Sequence, residues 1–191
     1  MKSISMLRGA ALGALLLCPA IGAAQEKKGK PANFVGDGPG KVHQQMEPMV
    51  GSWDVDVTYI FGGRENHGKA KCEAKWILDG RFLEQEYKSS IMGQPFTVLQ
   101  HLGYDNKKKK TIELKMDNMS TAVQHNEGTI SEDGKTITNE GESLDPMTGK
   151  AVKLRTVYTI VDSDHFKLEW FMVGADGKAE KIVSMTHSRR K

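Results

Sequence analysis

The chain has 191 residues, 38% of them hydrophobic and 27% charged, with two cysteines and a formal charge of +3. A chain of this length is expected to form one domain with its own core. Its composition excludes a disordered polymer and a bundle of membrane-spanning helices, and +3 is too small a charge to argue for nucleic acid.

Residues 1–24 have the layout of a secretory signal. Lys2 and Arg8 are followed by the uncharged apolar run Gly9 to Leu17, then Pro19, Gly22, Ala23 and Ala24. The run is shorter than the ~20 residues a membrane-spanning helix needs. A lipoprotein signal at Cys18 is disfavoured because Leu17, the preceding residue, is not small. Cleavage near Ala24 and export to the periplasm or medium are expected. Losing Lys2 and Arg8 takes the formal charge from +3 to +1, and losing Cys18 leaves Cys72 alone. No internal disulfide is then available, so packing must hold the fold.

Residues 25–40 are rich in Lys, Gly and Pro and read as a flexible leader. Lys41 to Val50 predicts one short helix with Val42, Met46 and Met49 on one side, kept short by Pro48. From Trp53 onward the period changes to two. Trp53, Val55, Val57 and Tyr59 alternate with Asp54, Asp56 and Thr58. The same rhythm returns in Ala70-Cys72-Ala74-Trp76, in Ile112-Leu114-Met116 against Thr111-Glu113-Lys115, in Leu154-Thr156-Tyr158-Ile160, and in Phe166-Leu168-Trp170-Met172. Cys72 shares the apolar parity of its strand, so burial as a small apolar group is expected. Turn pairs such as Gly62-Gly63, Asp79-Gly80, Asp133-Gly134 and Asp176-Gly177 separate the runs. No crossover helix fits between them, so neighbours pair antiparallel. The prediction is all-β: a single domain over 41–191, an up-and-down barrel of about ten strands with a short N-terminal helix.

Gly51-Ser52-Trp53, after a short helix and at the head of the first strand, resembles the G-x-W signature of lipocalin-like barrels. The resemblance implies that Trp53 packs across the closed end under a basic residue of the last strand, Arg189 or Arg190. A wider ordered set includes Asp79-Gly80-Arg81-Phe82-Leu83, Gly93-Gln94-Pro95-Phe96, Leu102-Gly103-Tyr104-Asp105-Asn106, Asp117-Asn118-Met119-Ser120-Thr121 and Asp145-Pro146-Met147-Thr148-Gly149-Lys150. It is similar to the bacterial family numbered 1579 among the domains of unknown function. That resemblance implies a lipocalin-like (calycin-type) barrel, often exported, and no settled activity. Lys115 stands where family members often carry Trp, and His187 where Tyr is common.

Six scattered histidines form no metal-binding spacing, and no nucleophile or phosphate-cradling motif is present, so no cofactor or metal is expected. His187, late in the chain, is the one residue similar in place to the haem ligand of nitrobindin-type barrels. Asp54/Asp56 and Glu84/Glu86 are carboxylate pairs on one strand face each, and Lys107–Lys110 reads as a solvated hairpin tip. Arg155, Glu169 and Lys181 read as an exterior charge ladder, or, with faces reversed, as interior groups that fix a ligand's charged end. The leading expectation is a barrel binding a small apolar ligand, with Trp53, Tyr104, Asp117, Arg155, Tyr158 and Trp170 as candidate site residues. The alternatives are an enzyme at the barrel mouth using Tyr104, Asp117 and Arg155, and a structural or interaction protein.

Overall fold

In the computed structural model the described residues are 37–191, apart from Gly62 and 145–148. The expected signal and leader fall on residues outside this set, except for the leader's last four. Ten strands follow one another in chain order: β1 Gly51–Phe61, β2 Arg64–Ile77, β3 Phe82–Ile91, β4 Gln94–Asp105, β5 Lys110–Asp117, β6 Gln124–Ile130, β7 Thr136–Leu144, β8 Ala151–Ile160, β9 His165–Val173 and β10 Ala179–Arg189. Each pairs antiparallel with its neighbour, and β1 pairs with β10, closing the barrel. Closure leaves no sheet edge. Among the described residues no helix is long and apolar enough to cross a membrane.

The strands divide by parity, as alternation requires. Trp53 and Val55 on β1, Ala70, Cys72 and Ala74 on β2, Leu154, Thr156, Tyr158 and Ile160 on β8, and Phe166 and Leu168 on β9 are buried. Strand β5 departs from the expectation. Its buried residues are Thr111 and Glu113, opposite the buried Leu102 of β4, so the polar set faces in and Ile112, Leu114 and Met116 face out. A one-residue change of parity exchanges faces completely, and a strand's own sequence does not say which face meets the core.

One end of the barrel is plugged. Helix α1, Lys41–Gln45, runs into a 3₁₀ turn, Glu47–Met49, whose first turn holds Pro48. Proline cannot supply the N–H that a continuing α-helix needs, so the segment changes pitch there. The turn of direction buries Met46 and Met49 completely. The Trp53 indole donates to the Met49 carbonyl at 3.0 Å, and Trp76 donates to the Glu47 carboxylate at 2.6 Å. Arg189 resolves the choice between the two terminal arginines. Its guanidinium lies 4.2 Å above the Trp53 ring and donates to the carbonyls of Val50 (2.8 Å) and Pro48 (2.9 Å). Gly51 has φ +130, and a Cβ there would strike Arg189 Nη1. The G-x-W glycine thus makes room for the arginine that clamps the plug. Arg190 instead pairs with Glu73 on the outside.

Candidate functional site

The barrel interior has three levels. At the plugged end Trp53 meets Phe166 edge-on at 4.8 Å, and Phe166 stacks on His187 at 3.7 Å. His187 is fully buried, with Nε2 hydrogen-bonded to the Tyr87 hydroxyl at 3.1 Å. The flanking Thr186 and Ser188 alternate outward while the imidazole turns in. Burial pushes the His187 imidazole down to about 3, and pushes the Cys72 thiol up to about 12. Both groups are therefore neutral members of the core near neutral pH.

The middle level is polar. Glu113 is 2% exposed and accepts four hydrogen bonds. Gln100 Nε2 and the Tyr158 hydroxyl each donate to Oε1 at 2.7 Å. Asn126 Nδ2 donates to Oε2 at 2.7 Å and the Thr156 hydroxyl at 2.6 Å. Two donors per oxygen replace the water that burial removes, which is what a buried carboxylate requires. Burial, followed by the nearby Glu113 charge, holds the Tyr158 phenol well above its usual range, so it stays a donor. These donors come from β4, β6 and β8, so Glu113 ties strands across the barrel.

The third level is an open end. A cavity of ≈ 240 Å³ enters here, walled by Val57, Tyr59, Phe96, Val98, Trp170 and Met185, with Gln100 among its lining residues. An outer vestibule of ≈ 630 Å³ adjoins it, lined by Asp117, Val123, Leu144, Leu154 and Met172 among others. Tyr59, Lys115, Trp170 and Val183 line both spaces. Lys115 Nζ stands 4.2 Å from the centroid of the Trp170 ring. Burial lowers the Lys115 ammonium from its ordinary value, against the opposing pull of Asp117 and Glu113.

The six residues expected at a site are thus distributed. Trp53 is the floor of the plugged end. Tyr104 lies at that same end, edge-on to His43 at 6.2 Å. Tyr158 belongs to the Glu113 network. Asp117 and Trp170 are the two at the open end. Arg155 is on the outer wall, paired with Glu140 at 2.6 Å beside Lys153. Tyr104, Asp117 and Arg155 are not brought together, which removes the motive for an enzyme built on them. The charge ladder reading holds for Arg155, and Lys181 pairs with Glu169 at 2.8 Å. The faces are reversed on β5 instead. Lys115 and Glu113 are not among the residues the sequence points to, and the signal they carry there is their alternation with Ile112, Leu114 and Met116. His187 does not line the cavity, and its Nε2 is engaged by Tyr87. Among the described residues no group of three or more His, Cys, Asp and Glu is placed to hold a metal ion.

A family model described as "Protein of unknown function (DUF1579)" matches residues 38–189. No curated protein matches the chain. Among solved structures, the crystal structure of Rv2717c from M. tuberculosis is similar, with a TM-score of 0.59 and 17% identity, over 80% of this chain and 99% of that one. At that identity the likeness concerns the fold. A redesigned β-barrel, b11L5F_LGL, aligns with a TM-score of 0.42 and 13% identity, over 81% of this chain and 100% of the other. EF1p2_mFAP2b bound to DFHBI aligns with a TM-score of 0.39 and 13% identity, over 78% of this chain and 99% of that one.

Proposed function

Because the chain belongs to the DUF1579 family, whose description assigns no activity, we propose a function from its geometry: it binds a small, largely apolar molecule through the open end of the barrel. The observation that carries this reading is the ≈ 240 Å³ cavity walled by aromatic and aliphatic side chains. Ligand sites in barrels are concave and mostly apolar, with a few polar groups that set orientation. Here the opposite end is filled by Met46, Met49 and Trp53, so among the described residues the open end is the route into this cavity along the barrel axis. Met185 and the vestibule's Met172 can adapt to an irregular ligand shape.

The test uses a neutral apolar dye, Nile red, so that charge plays no part. The wild type is expected to bind it with a blue-shifted emission. Gly68→Leu is expected to abolish binding, since Gly68 lines the cavity and an added Cβ meets only Tyr59 Cε1, at 4.0 Å. The new side chain then fills the cavity without displacing backbone. Native mass spectrometry of protein purified from its own host should show a co-purifying small molecule. A wild type that neither takes up the dye nor carries any such molecule would overturn the reading.

A further inference from the structure

We propose that the ligand carries one anionic group, a carboxylate at the end of an apolar chain, and that Lys115 receives it at the neck between cavity and vestibule. This rests on the apolar-ligand reading and adds the chemical class of its polar end.

Lys115 is an inward-facing, half-buried lysine on β5, and it lines both the cavity and the vestibule. Among the described residues no carboxylate lies within ion-pair distance of its Nζ, although sixteen other ion pairs are formed. The acids on either side of it on the same strand face are held, wholly or by one oxygen, by other donors. Glu113 has both oxygens filled by Gln100, Tyr158, Asn126 and Thr156. Asp117 Oδ1 accepts the amides of Met119 and Ser120 at 3.0 Å each and so serves its own turn. What Lys115 does have is the face of Trp170 at 4.2 Å. A cation over an indole is held in place by the ring quadrupole but keeps its N–H donors free for an acceptor.

The indole supplies a second donor. Trp170 Nε1 is buried and has no hydrogen-bond partner among the described residues. Burying a donor without an acceptor costs on the order of 1–3 kcal/mol, so Lys115 and Trp170 put beside this cavity two donors that have no acceptor among the described residues. A molecule that brings acceptors rather than donors, and negative charge rather than positive, completes the site. The walls below Lys115 are mostly apolar, with Gln100 among them, so most of the remainder of that molecule is hydrocarbon. A carboxylate also reverses the effect that burial has on the ammonium, because an opposite charge at close range favours the charged form.

Isothermal titration of the protein with decanoate and with decan-1-ol at neutral pH separates this proposal from the one beneath it. The two probes share the apolar chain and differ in the charge. Decanoate is expected to bind at least tenfold more tightly than decan-1-ol. Lys115→Met keeps a long apolar stem over Trp170 and is expected to bring the ratio of the two affinities to about one, with a circular dichroism spectrum and thermal unfolding like those of the wild type showing that the variant is folded. Lys115→Arg should restore the preference. Equal affinity of the wild type for both probes, or a preference that survives in Lys115→Met, overturns the anionic-end proposal and leaves the apolar-ligand reading standing. Failure of the wild type to bind either probe overturns both.

Discussion

The two ends of this barrel are built on opposite principles. At the plugged end, aromatic rings, two methionines and a guanidinium fill the space, and the Trp53, Trp76 and Arg189 polar groups all have partners. The hairpin tips there are charged, as in Lys107–Lys110, where Lys108 and Lys110 reach Glu127 and Lys107 reaches Asp37. At the open end, among the described residues, a cavity of ≈ 240 Å³ remains, a lysine and an indole have no acceptor, and Met92, Met119, Val123 and Leu144 are exposed on or beside the connecting loops. Exposed apolar residues occur at both ends, Leu78 and Val161 being exposed at the plugged one, so the difference lies in the packing of the interior and in the cavity. Stability should therefore concentrate at one end and binding at the other.

The harshest test of that division is Trp53→Ala. Trp53 is fully buried, touches Phe166 edge-on, lies under Arg189 and donates to Met49. Truncating a buried tryptophan costs about 3–5 kcal/mol, and here it also leaves the Met49 carbonyl and the arginine without their partner. Denaturant unfolding should show a loss in that range. A loss under about 1 kcal/mol would mean that the plug does not carry the fold, and the contrast between the ends would fail.

His187 gives the same end a pH signature. Its pKa is about 3 in the folded chain, with burial as the leading cause, against about 6.5 for an exposed imidazole. Between those values the unfolded chain holds a proton that the folded chain refuses, so stability rises with pH and is lost on acidification. The slope is about 1.4 kcal/mol per pH unit below ~6.5. His187→Phe keeps a ring on Phe166 but cannot titrate, so its stability should fall less steeply between pH 6 and pH 4. Carboxylates titrating in the same window are common to both proteins and cancel in the difference. Parallel curves would show that His187 is already solvated in the folded state.

Much of the plugged end was legible in the sequence, because its signals are local. Gly51, Trp53 and the arginine pair at the terminus stand at fixed places, Pro48 shortens the helix, and the parity of β1, β2, β8 and β9 is unambiguous where large apolar residues occupy one face only. The open end was less legible because its signal depends on strand pairing. In β5 the apolar set Ile112-Leu114-Met116 argues for the wrong face. Glu113 is drawn inward by Gln100, Asn126, Thr156 and Tyr158, from three other strands, and no window of the chain shows those donors converging. Lys115 follows Glu113 inward by parity alone. Tyr104 and Asp117 stand in turn-associated motifs, which fix backbone geometry and say nothing about convergence, and Arg155 stands in a strand whose alternation already places it outside.

The smallest effect is expected where neither end is involved. Arg155 pairs with Glu140 on the outer wall, at 2.6 Å, and Lys153 pairs with the same carboxylate at 2.5 Å. Partly exposed pairs of this kind contribute up to about 1 kcal/mol, because solvent screens them and ordering two long side chains costs entropy. Arg155→Ala leaves Glu140 with Lys153, which lowers the expected loss further. It also leaves the barrel interior untouched, since Thr156 and Leu154, the neighbours on either side of Arg155, are the residues that face in. Thermal unfolding should therefore shift by no more than a few degrees, and Nile red affinity should be unchanged. A variant with near wild-type stability and lost dye binding would place a functional surface on the outer wall, and the assignment of binding to the open end would have to be given up.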